Sequence, residues 1–254
     1  MRSIATCLLL VLGIFANDLS ACRCSQETLT HKFGKAKFVA RLRFDAFVDI
    51  GTWHMAKVET LEQFKGAEID SLRINSQLHT SCAYLPPEGS EWLIFASEFK
   101  GELVISSCSG GILLELSGLP GSKRISSGKR NEANNKLEIL RYFKDNKLPL
   151  TSYSGGGLGL GKDFRDKFSG YEGQSGEFAV YTFKMKRRGR ASSVKFIRPF
   201  SNRKLTRDLK RYLKNGLKNE RLLTVLPRKR RIAGLLLFSP ARREFPSSVS
   251  SRLY

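Results

Sequence analysis

Cys22 and Cys24, with one residue between them, stand directly after an apolar leader, and the chain beyond them holds only two more cysteines, Cys82 and Cys108. No other feature restricts the fold so tightly, because cross-links among these four would tie the start of the processed chain to points far along it. Met1-Arg2-Ser3 places a cation ahead of an apolar run over residues 4–16, and the small residues Ser20-Ala21 precede Cys22. This is the pattern of an export signal over residues 1–21, cleaved before Cys22 and too short for the ~18 apolar residues of a membrane span. Cys7 leaves with that leader, and an even count of cysteines in an exported chain predicts disulfides. Four cysteines allow three pairings. A direct Cys22–Cys24 bridge would strain the linkage across a single residue, and spacing does not choose between the other two. A metal site is disfavoured, because the cysteines form no paired C-x-x-C knuckles. Leu19-Ser20-Ala21-Cys22 also fits a lipobox, in which Cys22 becomes an acylated N-terminus. The expected location is therefore outside the cytoplasm, as a periplasmic or outer-membrane lipoprotein or as a secreted protein.

Charge divides the chain unequally. Residues 1–160 carry 19 basic and 16 acidic side chains, whereas residues 161–254 carry 25 and 7, which accounts for most of the net +21. With 41% apolar and 26% charged residues, the composition is that of globular domains and excludes a disordered chain or a bundle of membrane helices.

Between the cysteines the chain reads as short strands. Residues 38–44 alternate so that Phe38, Ala40, Leu42 and Phe44 share one face of a half-buried strand. Residues 53–61 are β-rich and end at a Phe64-Lys65-Gly66 corner. Residues 69–74, 91–97 and 103–107 continue the series, separated by turns at 86–89 and 99–101. Five strands in so short a stretch predict a small antiparallel barrel.

Cys22-Arg23-Cys24, the strand beginning Ala36-Lys37-Phe38-Val39-Ala40, the Phe64-Lys65-Gly66 corner, Ser81-Cys82-Ala83-Tyr84, Glu88-Gly89-Ser90-Glu91-Trp92-Leu93-Ile94-Phe95-Ala96 and Ser106-Ser107-Cys108-Ser109 together resemble the netrin-like fold of tissue inhibitors of metalloproteinases, in its bacterial form. The resemblance covers residues 22–117 and implies a five-stranded OB-type barrel. It also implies bridges from Cys22 to Cys82 and from Cys24 to Cys108. Loops of 60 and 84 residues closed in that way would each restrict the unfolded chain by about 4 kcal/mol. The animal inhibitors chelate a protease zinc through the α-amine and carbonyl of their first cysteine, which here would be Cys22. Acylation would remove that amine, and Arg23 stands where those inhibitors keep a small residue.

Residues 118–164 are expected as a linker containing one helix over residues 131–146, with Ala133, Leu137, Leu140 and Phe143 near one face and Pro149 after its end. The glycine-rich stretch of residues 153–162 includes G-x-x-x-x-G-K at residues 156–162. Asp163 stands where a phosphate loop needs Ser or Thr for magnesium, so this stretch too is assigned to linker. Beyond it, residues 178–185 and 193–197 read as a hairpin around Arg187-Arg188-Gly189-Arg190. Leu205, Leu209, Tyr212 and Leu213 form one stripe of a helix stopped by Gly216, and residues 232–238 form a last strand. This β-β-α-β order over residues 165–240 resembles, more weakly, the C-terminal domain of TonB energy transducers, which takes up a short strand from an outer-membrane receptor. The family's Tyr-Pro and acidic turn are missing, and no inner-membrane helix remains to receive force. Residues 241–254 are expected as a flexible tail.

The fold expected is α+β: a netrin-like barrel followed by a small basic module. Arg187, Arg188, Arg190, Arg228, Lys229, Arg230 and Arg231 are the candidate anion-binding residues, attracted to anionic lipid or lipopolysaccharide; nucleic acid is a poor match for an exported, disulfide-bearing chain. His31, His54 and His79 show no metal spacing and no nucleophile beside them, so neither an enzyme nor a cofactor is expected. The expected role is a non-catalytic interaction in the cell envelope with a protein partner, the alternative being metalloprotease inhibition through Cys22.

Overall fold

The computed structural model describes residues 22, 24–25, 27–109, 111–116, 126–150, 164–185, 191–216, 232–239, 241 and 246–250. The leader, the glycine-rich stretch and all seven candidate anion-binding residues lie outside these.

A short helix, α1 (Leu29–Lys35), opens the described chain; Thr28 caps it, its Oγ1 accepting from the His31 amide at 3.3 Å. The strands β1 (Phe38–Asp49), β2 (Trp53–Lys65), β3 (Ser71–Asn75), β4 (Glu91–Phe99) and β5 (Glu102–Ser106) follow, then β6 (Ile112–Glu115). Hydrogen bonding runs in the order β1-β2-β3-β5-β4, and β4 returns to pair with β1, so the sheet closes as a five-stranded barrel with β6 added outside β4. β1 makes closure feasible. Its register with β2 slips three times, and each irregularity bends the strand enough for residues 38–43 to pair with β2 on one side and β4 on the other. The barrel is mixed, where the sequence predicts an antiparallel one: β4 crosses over to β1 after the long 76–90 connection, leaving β5 to run parallel to β3. Phe38, Ala40, Leu42 and Phe44 point inward as their alternation predicts, against Ile74, Ile94 and Ile105. Gly66 turns the β2 corner at φ +93°, where a Cβ would sit 2.9 Å from the Lys37 carbonyl.

The second sheet is built from β7 (Phe178–Met185), β8 (Ala191–Arg198), β9 (Ile232–Ser239) and β10 (Ser248–Ser250), in the antiparallel order β10-β9-β7-β8. Part of the segment expected as a tail is thus a strand, held because Val249 is fully buried. Between the sheets in sequence lie α2 (Ser127–Asp145) and a one-turn α3 (Phe164–Lys167); α4 (Arg203–Gly216) follows β8. The α4 stripe predicted from Leu205, Leu209 and Leu213 packs on one face of the sheet with Ala179, Tyr181 and Phe183.

The opposite face explains why residues 232–238 read as one apolar run. Phe178, Val180, Ala233, Leu235 and Leu237 join Leu137, Ile139, Leu140 and Phe143 of α2, and Val39, Leu93 and Phe95 from the outside of the barrel, in a single buried cluster. The inner strands are therefore covered on both faces over much of their length, which favours apolar residues at successive positions. The helix expected inside a linker is the shared layer between barrel and sheet. Arg141 on it binds Glu62 of β2 at 2.6–3.0 Å, and Glu138 accepts from Arg198 of β8 at 2.8 Å. The Arg141 hydrogen bonds hold the Glu62 carboxyl below its ordinary value. No helix among the described residues is long and apolar enough to cross a membrane.

One polar atom in this core is anomalous. Tyr181 is completely buried, its ring lying against Gly234, where a Cβ would fall 2.3 Å from the ring carbon Cζ, and its hydroxyl has no hydrogen-bond partner among the described residues. Burial pushes the phenol far above its ordinary value. An orphaned buried hydroxyl is destabilising. Tyr181→Phe is expected to leave stability unchanged or raise it by up to about 1 kcal/mol in urea melts; a clear loss would mean that the hydroxyl is satisfied.

Candidate functional site

The structure pairs Cys22 with Cys82 and Cys24 with Cys108. Cys82 lies in the long connection between β3 and β4, and Cys108 in a single 3-10 turn (Ser107–Ser109) directly after β5. Cys22 and Cys24 are thereby tied to two segments of the barrel that lie 26 residues apart in sequence. The Cys22 amide also donates to Ser81 Oγ at 3.2 Å. A sulfur held in a bridge cannot form the thioether of a lipid anchor, so the geometry at Cys22 opposes the lipobox expectation. The sulfurs of Cys22, Cys24 and Cys108 fall within 4.8 Å of one another, but all three are in bridges and offer no thiolate to a metal. Such bridges belong to compartments outside the reducing cytoplasm.

The connection carrying Cys82 forms one wall of a groove of about 660 Å³. Its other wall is the β1–β2 turn. Trp53, Asp49, Asn75, Gln77, His79 and Thr80 line it, with Cys82 at one end. A relay ties the two walls: Ser76 Oγ hydrogen-bonds the Thr52 carbonyl at 3.2 Å and His54 Nδ1 at 2.9 Å. His54 is buried; His79 is exposed in the groove; His31 sits 3.5 Å from Glu27 on the α1 side. Trp53 is held in place from outside. The Phe99 ring lies within 15° of its plane at 6.1 Å, and the Arg73 guanidinium packs 4.7 Å over the indole while pairing with Glu102. Exposed apolar side chains occur at the same features: Val48 and Ile50 at the β1–β2 turn, Leu78 in the groove and Phe99 against Trp53.

A second, smaller concavity of about 250 Å³ lies beside the other bridge, lined by Lys32, Lys35, Ser106 and Cys108 among others. Burial and the neighbouring Lys136 push the Lys32 ammonium below its ordinary value. Tyr84, two residues beyond Cys82, stands edge-on to Trp92 at 5.9 Å with its hydroxyl buried and without a hydrogen-bond partner among the described residues, and burial raises its phenol well above the ordinary range.

No family model matches this chain, and no curated protein matches it. The cysteines were legible in the sequence; the groove was not. Its available signal was the run Asn75-Ser76-Gln77-Leu78-His79-Thr80, a polar loop rich in amides and hydroxyls and tethered by the cysteine that follows it.

Proposed function

We propose that this chain is an exported, non-catalytic interaction protein of the cell envelope, whose disulfide-clamped barrel end is its recognition surface. The observation that carries this reading is the fastening of the processed N-terminus, through Cys22 and Cys82, to the loop that walls a preformed groove. Pocket walls tied covalently do not have to be ordered when a partner arrives, which favours affinity. The strand order 1-2-3-5-4-1 with its single parallel pair supports an OB-type barrel, and the cysteine connectivity supports the netrin-like resemblance. The β7-β8-α4-β9 order supports the TonB-C-like resemblance of the second sheet, although β10 already covers part of the outer edge of β9. The basic excess after residue 160 adds a salt-sensitive attraction to polyanions.

The test is sedimentation of the processed, oxidised chain with envelope fractions. Saturable retention that disappears on reduction is the expected result; no retention, or retention indifferent to reduction, would overturn the reading. Inhibition of a zinc protease by the same preparation, abolished by one residue added ahead of Cys22, would shift the reading to inhibitor.

A further inference from the structure

We infer that the groove between the β1–β2 turn and the 75–82 loop binds a neutral oligosaccharide. This rests on reading the barrel end as a recognition surface and names its ligand.

Three features of the groove select that chemistry. Its polar lining consists of amides, hydroxyls, an imidazole and one carboxylate: Asn75, Gln77, Thr80, His79 and Asp49. Such groups donate and accept at adjacent atoms, the pattern that vicinal sugar hydroxyls require. Its one aromatic lining residue is Trp53, an apolar side chain against which the C–H groups of a pyranose can pack while its hydroxyls point to the polar walls. The third feature is what the lining lacks. Although the chain carries net +21, no lysine or arginine is among the described residues that line this groove, and its one formal charge is the Asp49 carboxylate. A phosphate or uronate polymer would meet no counter-charge there, whereas a neutral glycan loses nothing by that arrangement.

The site is also preorganised. Gly51 N–H donates to Asp49 Oδ1 at 2.8 Å, which sets the β1–β2 turn. The His54–Ser76–Thr52 relay joins that turn to the opposite wall from below. Cys82 anchors the far end of the loop, and Phe99 with Arg73 fixes the indole. A volume of about 660 Å³ lies within the range of small-ligand sites and suits a short oligosaccharide better than a folded partner.

Isothermal titration of the oxidised full-length processed chain with the N-acetylglucosamine tetramer and with maltotetraose tests the assignment. Saturable binding of at least one is expected, accompanied by a change in Trp53 fluorescence. Trp53→Ala is expected to weaken it at least about tenfold. Because that substitution could disturb β2, the double variant Gln77→Ala/His79→Ala, both on exposed loop positions, is the decisive comparison; it too should weaken binding at least about tenfold without moving the melting midpoint. Unaltered affinity in the double variant would overturn the site. Tighter binding of an oligodeoxythymidylate than of either sugar would overturn the ligand class. If neither sugar binds while envelope retention persists, the glycan assignment fails and the interaction reading stands; if retention fails as well, both do.

Discussion

Replacing Cys24 and Cys108 together by serine is expected to lower stability by about 4 kcal/mol, and the reason lies in the unfolded chain more than in the folded one. The bridge closes a loop of 84 residues. Opening it returns conformational freedom to the denatured ensemble while leaving the barrel strands and their inward residues unchanged. Changing both cysteines avoids a lone thiol that would exchange with the other bridge. Replacing Cys22 and Cys82 by serine opens a 60-residue loop, and because closure entropy grows only with the logarithm of length, the loss should be nearly as large. Binding separates the two. Cys82 lines the groove, so its release should weaken any ligand held there, whereas release of Cys108, which lines the smaller concavity and not the groove, should weaken it less at temperatures where both variants are folded. Urea melts of the two double variants, with ligand titrations alongside, check both statements. Midpoints that match the parent protein's would mean that the bridges do not form.

The barrel was legible because its inward strands obey a local rule. Phe38, Ala40, Leu42 and Phe44 alternate with polar neighbours, and the same period places them in the core. The stripe of Leu205, Leu209 and Leu213 was legible for the corresponding helical reason. What escaped depends on partners distant in sequence. The 131–146 segment shows one apolar face on inspection, yet Ile139, off that face, is fully buried as well, because α2 meets the barrel on one side and the second sheet on the other. The parallel β3–β5 pair could not be inferred from the strands themselves, since direction is set by where the 76–90 connection sends β4. The groove escaped for a similar reason: Trp53 and Gln77 are 24 residues apart, and no periodicity links a strand end to a loop. Cysteines mark such distant junctions, and here they marked the one beside the groove.

The shared layer has a consequence for cooperativity. Phe178, fully buried at the head of β7, stands edge-on to Tyr142 of α2 at 5.7 Å, with the Arg198 guanidinium 3.7 Å over its ring. Phe178→Ala removes a ring from the cluster to which barrel, helix and sheet all contribute, and is expected to destabilise by about 3–5 kcal/mol. Both tryptophans, Trp53 and Trp92, belong to the barrel, so indole fluorescence reports on a part of the molecule distinct from the strand that carries the substitution. If barrel and sheet are two independent units joined by a linker, the substitution should shift the circular-dichroism transition of the second sheet and leave the fluorescence transition in place. Coupling through α2 predicts the opposite: one coincident transition by both probes, in the parent and in the variant, moved to lower urea as a whole. Separated transitions would show that α2 adheres to only one of its two neighbours. Coincident ones would mean that the barrel end and the basic half respond to strain as one body, so that a load applied to the second sheet is carried through α2 into the barrel.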